Sequence, residues 1–251
     1  MQKFEPEIKI SDLTLTFNAQ YFYPSTWRDR FVNLYRPPSV LSQPENILKN
    51  INLNFKNRER VGLLGLNGAG KTSLCRCIAG TYKPTQGSVE VRGQIQSIAD
   101  VSIGLFPELT GRENIKILSE LLHPDKESKD FEDEICSFSG LRKYLDLPYK
   151  HYSNGMKARL ALSAISSHPS DILILDEVFD GADMGFRAKI GKRVHQMIDN
   201  SGIVLFVSHN PRQVLEVCNR AIVIFDSEVI LDGTPEEAVA EYESLCRANE
   251  N

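Results

Sequence analysis

A glycine-rich segment between an apolar run and a helical run constrains this chain most. Residues 65–72, GLNGAGKT, fit the pattern G-x-x-x-x-G-K-[ST] at every fixed position. The apolar run at 58–65 predicts a buried strand before it, and 70–80 predicts a helix that ends at Gly80. Glycines let successive backbone N–H groups face inward, and the helix N-terminus adds positive potential. The segment therefore predicts a phosphate-binding loop. A chance glycine-rich turn is the weaker alternative because both flanks fit.

The loop and one later strand assign residues to ATP hydrolysis. The loop residues expected to contact the nucleotide are Gly65, Leu66, Asn67, Gly68, Ala69, Gly70, Lys71, Thr72 and Ser73. Lys71 is predicted to reach the β- and γ-phosphates, and the Thr72 hydroxyl to bind Mg²⁺. A second apolar strand, ILIL at 172–175, ends in Asp176 and Glu177. We expect Asp176 to hold Mg²⁺ through water and Glu177 to orient the attacking water.

The rest of the chain alternates short apolar runs with helical ones. Residues 8–17 and 46–55 alternate apolar and polar side chains as half-buried strands do, and 87–95 predicts one more strand. From residue 153 onward, apolar strands are separated by helices. This order is typical of a parallel sheet covered on both faces. The sequence thus predicts an α/β fold.

The charge balance and hydropathy narrow the classes of partner. Lys+Arg 29 against Asp+Glu 33 gives a net charge of -4, which excludes a globally basic nucleic-acid-binding surface. The mean hydropathy is -0.26, and no apolar run approaches the roughly 20 residues of a membrane span. The first residues contain no pattern of a secretory signal or lipid anchor. Five cysteines without metal-ligand spacing predict buried free thiols and a reducing, cytoplasmic compartment.

Two phrases resemble the ATP-binding cassette (ABC) family. Residues 152–156, YSNGM, resemble its signature loop, usually LSGGQ, and match it at Ser153 and Gly155. This variant and PELTGRENI at 107–115 are similar to the ATPase subunits of polysaccharide exporters. The resemblance extends from about residue 8 to 245. It implies a P-loop NTPase of ABC type, with a mostly parallel core, an antiparallel β subdomain and a helical subdomain at about 105–165. The whole chain, 1–251, would be one nucleotide-binding domain.

The resemblance also implies a second copy of the chain as a partner. In the family two cassettes pair head to tail, so Ser153, Asn154 and Gly155 would complete the ATP site of the other subunit. Asp183 matches the D-loop aspartate, and His209 the switch histidine that contacts the γ-phosphate. The alternative for Ser153 is an ordinary helix N-cap.

The region 18–46 interrupts the pattern with an aromatic and basic insertion. By family resemblance an aromatic residue here stacks on adenine, with Tyr21 or Tyr23 as candidates. The other residues would suit an anionic lipid-linked head group or single-stranded nucleic acid, and a partly buried loop is an equal alternative. The Q-loop glutamine of the family has no match in 99–104, so Asp100 or Ser102 replaces it or Mg²⁺ has one protein contact fewer. Gln96 lies too far upstream.

The resemblance implies an ATP hydrolase that powers export of a lipid-linked polysaccharide, of the O-antigen, capsule or teichoic-acid class. The membrane path would be a separate polytopic transmembrane subunit, with this chain on the cytoplasmic face of the inner membrane. Some members of this branch carry a C-terminal carbohydrate-binding domain, and none is expected in this sequence, whose last residues, EEAVAEYESLCRANEN, predict a helix and a polar end. The alternatives are an ABC ATPase for another cargo, including a small-solute importer, and a non-transport ABC ATPase acting on ribosomes or DNA. The acidic balance speaks against a nucleic-acid partner.

Overall fold

Two β-sheets and seven helices make up the described parts of the chain. The computed structural model describes residues 5–17, 45–98, 105–122, 127–167, 170–176, 184–208 and 210–249. The main sheet has six strands in the order β5-β6-β7-β3-β8-β9. Its strands are β3 Arg60–Leu64, β5 Ile95–Ile98, β6 Ile172–Asp176, β7 Ile203–Val207, β8 Arg220–Phe225 and β9 Glu228–Gly233. Only β8 and β9 pair antiparallel, so the core is mostly parallel, as predicted.

The second sheet is antiparallel and has the order β2-β1-β4. Its strands are β1 Glu7–Phe17, β2 Glu45–Lys56 and β4 Gln86–Arg92. The alternation seen in the sequence appears as burial: Ile8, Ile10 and Leu53 point into the core while their neighbours face outward. β1 and β2 therefore form where the pattern predicted them, and β2 begins just inside the predicted insertion.

The helices are α1 Lys71–Ile78, α2 Gly111–Leu122, α3 Ser128–Ser139, α4 Asn154–Ile165, α5 Met184–Asn200, α6 Pro211–Val217 and α7 Pro235–Asn249. Successive side chains of the main sheet point to opposite faces, so two cores form. On one face Leu63 packs with α1 and the antiparallel sheet. On the other Leu64 packs with α5, α6 and α7. Among the described residues, no helix has the length and apolar character needed to span a bilayer.

Helices α2, α3 and α4 have a third core of their own. It is centred on Phe131 and Ile135, both fully buried, and it includes Leu105, Tyr149 and Tyr152. Two short 3₁₀ turns, Arg142–Tyr144 and Tyr149–His151, connect α3 to α4. We propose this group as the helical subdomain expected at about 105–165.

The predicted strand at 87–95 is wrong as a single element. The chain forms β4 up to Arg92 in the antiparallel sheet and β5 from Ile95 in the main sheet. Gln94 lies between them, with its N–H donating to Asp171 Oδ2 over 2.9 Å. Apolar periodicity continues across the break because both strands bury one face, so it could not show the change of sheet.

Candidate nucleotide-binding site

The glycine-rich loop lies between β3 and α1, as the pattern predicted. β3 is buried along its length except at Arg60, and it carries the chain to the edge where the parallel strands end. Gly70 precedes α1 with a φ of 106°, which favours glycine. A Cβ built on Gly70 would lie 2.7 Å from the Ile47 carbonyl oxygen and 2.8 Å from Leu48 Cδ2. β2 therefore packs directly against the loop, and only glycine fits there.

The N-terminus of α1 carries no acidic side chain and no side-chain cap. Its first N–H groups have no partner inside the helix, because the hydrogen-bond pattern needs a carbonyl four residues earlier. Lys71 is buried, and its Nζ donates to Gly65 O over 2.7 Å and Leu66 O over 3.0 Å. The ammonium thus lies inside the loop. N–H donors, a helix dipole and a buried cation fit a polyphosphate.

Sheet register brings Asp176 to the same edge. Asp176 pairs with Val207, and Val207 pairs with Leu63, two residues before the loop begins. Neighbouring strands are about 4.8 Å apart, which places the Asp176 and Leu63 backbones roughly 10 Å apart. Asp176 is 7% exposed, and Thr72 is half-buried as the second residue of α1. A carboxylate and a hydroxyl are oxygen ligands of the kind that Mg²⁺ prefers.

The Asp176 carboxylate and the Lys71 ammonium both affect the pKa of the buried Cys75 thiol. Burial raises the pKa of Cys75, the Asp176 carboxylate raises it further, and the Lys71 ammonium lowers it. Such effects require both charges to lie near the same sulfur. Asp176 at the end of β6 and Lys71 at the start of α1 therefore both lie within electrostatic range of Cys75. All five cysteines are free, and Cys75, Cys77 and Cys136 are buried, as predicted, while the other two are half-buried.

The predicted signature loop forms the N-terminus of α4. Ser153 is the N-cap, and its Oγ accepts a hydrogen bond from the Met156 N–H over 3.2 Å. Ser153 and Asn154 are exposed, and a Cβ built on Gly155 would meet nothing within 4 Å. The capping alternative is thus observed. It does not exclude phosphate contact, because a hydroxyl that accepts one hydrogen bond still has a proton to donate.

Several predicted site residues lie outside the described residues. These are Glu177, Asp183, His209 and the adenine candidate Tyr23, together with the segment 99–104 that was compared with the Q-loop. The structure does describe Gln96. It is 6% exposed on β5, and its Nε2 donates to the carbonyl of Ile165 at the end of α4.

The sequence interpretation missed an aromatic pair near the loop. Phe17 ends β1 opposite Glu45 at the start of β2, the strand that abuts Gly70. The ring of Phe17 meets that of Tyr82 edge to face, with centroids 5.7 Å apart, and the guanidinium of Arg76 lies 5.3 Å from the Tyr82 centroid. The position of Phe17 at the end of a predicted strand beside the insertion was the signal that could have found it.

Comparison with known proteins identifies the family of this fold. The family model described as ABC transporter matches residues 48–180, from β2 to just beyond Asp176. A dimeric ATP-binding cassette in a post-hydrolysis state, bound to ADP and Pi, superposes with a TM-score of 0.66. The two chains are 21% identical, and the match covers 91% of this chain and 98% of that one. At this identity the likeness establishes the fold, which confirms the predicted fold class.

Curated relatives carry the names of the branch that the two phrases resemble. The teichoic acids export ATP-binding protein TagH of Lactococcus lactis is 40% identical over 80% of this chain, which spans only 43% of that protein. The O-antigen export system ATP-binding protein RfbB of Klebsiella pneumoniae is 35% identical over 95% of this chain and 98% of its own length. The ABC transporter protein AbcA of Aeromonas salmonicida is 33% identical over 96% of this chain and 77% of its own. With its phosphate loop, its fold and these relatives, the chain belongs to the ABC transporter family.

Proposed function

We propose that this chain is an ATP-hydrolysing subunit that powers export of a lipid-linked polysaccharide through a separate transmembrane subunit. The observation that carries the ATPase part is the buried Lys71 ammonium inside a glycine loop, two strands from Asp176. The cargo class is supported by the names of relatives that export teichoic acids and O-antigen. A working position on the cytoplasmic face of the inner membrane follows from that role.

The residues of the loop divide the work of hydrolysis. The N–H groups of 65–73 and the Lys71 ammonium bind the phosphates of ATP, and Lys71 offsets charge that develops on the β- and γ-phosphates. Thr72 and Asp176 would hold Mg²⁺, which when bound offsets phosphate charge and orients the γ-phosphate. Glu177, the next residue after Asp176, accepts a proton from the attacking water and sets its direction. His209 donates a hydrogen bond to the γ-phosphate.

The signature loop acts in the second subunit. Ser153 and Asn154 are exposed at the N-terminus of a 12-residue helix, where an anion is favoured by the helix dipole. In a head-to-tail pair, with Asp183 at the interface, the Ser153 hydroxyl and the N–H of Gly155 contact the γ-phosphate held by the partner. ATP then joins the two copies, and its hydrolysis releases them. This cycle would drive the transmembrane subunit.

For the adenine ring we propose Phe17 as an alternative platform to Tyr23. Phe17 is half-buried and lies at the end of β1, next to the strand that packs on the loop. Base–aromatic stacking is worth about 1–3 kcal/mol. Separate Phe17→Ala and Tyr23→Ala variants would show which ring stacks on adenine, because the loss of that ring should weaken ATP binding by about tenfold.

The decisive experiment measures dimer formation by the Glu177→Gln variant with ATP. This variant keeps the binding groups and loses the base, so it should become a stable dimer with ATP and remain monomeric with ADP. Adding Lys71→Ala should abolish the dimer, and Lys116→Ala on the exposed face of α2 should leave it unchanged. A Glu177→Gln chain that binds ATP as a monomer would refute the mechanism.

A second measurement tests the cargo. Pull-down of the chain from its own cells should recover a polytopic membrane protein, and deletion should leave lipid-linked polysaccharide on the cytoplasmic side. Recovery with ribosomes, in place of a membrane protein, would contradict the export role and favour the non-transport alternative.

A further inference from the structure

The two phrases that resemble the exporter branch are in direct contact. Tyr152, the residue before Ser153, is 4% exposed, and the hydroxyl end of its ring lies against Gly111, the first residue of α2. A Cβ built on Gly111 would collide with the Tyr152 hydroxyl and lie 3.0 Å from its Cζ. The phenol therefore occupies the space that any other side chain at residue 111 would need.

Backbone hydrogen bonds fix the segment before the signature loop to the N-terminus of α2. The N–H groups of Gly111 and Arg112 donate to Leu147 O and Leu145 O, over 3.2 and 2.9 Å. In return, the Tyr149 N–H donates to Leu109 O over 2.8 Å. Lys150 N–H also donates to Pro107 O over 2.9 Å, and its ammonium pairs with Glu108 at 2.6 Å. The segments 107–112 and 145–150 thus form one hydrogen-bonded unit.

Tyr152 is the last fixed residue before the exposed loop. Its N–H donates to Tyr149 O over 3.0 Å, and its hydroxyl donates to Tyr144 O over 2.8 Å. Burial raises the pKa of Tyr152 to about 12, so the phenol remains a donor at any pH at which the cell works. Ser153 follows at once and is exposed. Ser153 is thus bonded directly to a buried residue whose N–H and hydroxyl are both hydrogen-bonded.

We propose that Tyr152 is a positioning residue for the signature loop, with Gly111 as its seat, and that its hydroxyl sets the placement of Ser153 at the partner's γ-phosphate. This inference rests on the proposed ATP-dependent dimer. The ring and the hydroxyl have separate tasks: the ring fills the α2–α4 core with Tyr149, 5.5 Å away between centroids, and the hydroxyl fixes the turn. A leucine at 152, as in the common signature, would fill the core without that hydrogen bond.

The test uses Tyr152→Phe, which keeps the ring and removes only the hydroxyl. In the Glu177→Gln background we expect the ATP-dependent dimer dissociation constant to rise about tenfold, because each dimer loses two positioning hydrogen bonds. ATP affinity of the monomer should not change, since the phosphate loop is untouched. The matched control is Tyr144→Phe, which removes an exposed hydroxyl from the same turn and keeps the carbonyl acceptor. Its dimer should be as tight as the parent's.

A double-mutant cycle tests the seat. Gly111→Ala and Tyr152→Leu should each weaken the dimer, but Gly111→Ala should cost at least threefold less in the Tyr152→Leu chain than in the parent, because leucine lacks the atoms that the new Cβ meets. Strictly additive effects would overturn the paired arrangement. If Gly111→Ala fails to fold, the Tyr152→Phe result stands alone.

The outcomes separate the two levels of inference. If Glu177→Gln itself fails to dimerise with ATP, the proposed function is wrong. If it dimerises and Tyr152→Phe dimerises equally well, only the positioning role is wrong. A Tyr152→Phe variant that loses ATP affinity in the monomer to the same extent would also overturn that role, because the defect would then be general.

Discussion

The side chain of Asn114 is the best place to test how the loop before α2 is held. It is fully buried, and its Oδ1 accepts from the Phe106 N–H over 2.6 Å. Its Nδ2 donates to Phe106 O over 3.0 Å, Leu109 O over 3.3 Å and Thr110 O over 2.9 Å. These carbonyls have other donors, since Leu109, Tyr149 and Asn114 N–H groups also reach them. In Asn114→Ala the three carbonyls therefore keep one donor each, and the Phe106 N–H loses the acceptor that Asn114 Oδ1 provides.

The amide of Asn114 makes four hydrogen bonds, and an ordinary one contributes about 0.5–1.5 kcal/mol net, with the three to carbonyls at the low end because each carbonyl keeps another donor. We therefore expect Asn114→Ala to lower the free energy of unfolding by about 2 kcal/mol. For a chain of this size that corresponds to a fall in Tm of about 4–8 °C. Asn114→Asp should be worse than alanine at pH 7, because it turns a negative charge toward three carbonyl oxygens, and milder when the carboxylate is protonated.

Chemical denaturation and calorimetry would measure both variants against Glu120→Ala, an exposed position on the same helix that should change stability by less than about 0.5 kcal/mol. If Asn114→Ala matched Glu120→Ala, the amide would contribute nothing to the loop. An aspartate tolerated as well as asparagine at pH 7 would equally refute the hydrogen-bond assignment.

Three further predictions follow from single sites. Gln96→Ala should change stability by less than about 1 kcal/mol, because the Ile165 carbonyl loses its donor while the buried Gln96 Oε1, which accepts no hydrogen bond from the described residues, is removed with it. The ATP hydrolysis rate should stay nearly intact, and a loss as large as that of a Lys71→Ala variant would contradict this. Cys75, whose pKa is raised by burial and by the Asp176 carboxylate, should react with iodoacetamide only when the protein unfolds. Mass spectrometry after labelling would measure this, and a Cys75 adduct in the native protein would contradict it. The Thr110 N–H and hydroxyl both donate to the Glu113 carboxylate and lower its pKa. The stability that this carboxylate adds is therefore present at pH 7 and lost as the pH falls below about 4, where it becomes protonated. Tm measured against pH for Glu113→Gln should converge with the parent in acid, and a constant difference would argue against this sign.

The sequence predicted the elements that depend on local residue patterns. The loop at 65–72, its flanking strand and helix, and Asp176 at the end of an apolar strand were all placed correctly, because each depends on local pattern and on the rule that parallel strands end at one edge. The break between β4 and β5 was missed, since both halves alternate in the same way while joining different sheets. β9 was missed as well: its alternate residues are half exposed, so its apolar signal is weak.

The contact between Gly111 and Tyr152 was beyond the sequence for a different reason. Gly111 belongs to the segment 107–115 and Tyr152 to the segment 152–156, and both segments resemble the exporter branch. Neither segment indicates that the phenol at 152 requires a glycine at a position 41 residues earlier in the chain. That requirement arises only when α2 and α4 pack on the shared core around Phe131. A side chain at residue 111 would therefore displace the Tyr152 phenol, although the two residues are far apart in the sequence. If the Tyr152 hydroxyl sets the signature loop, a substitution at Gly111 that displaces the phenol leaves the phosphate loop unchanged and still weakens the ATP-dependent dimer.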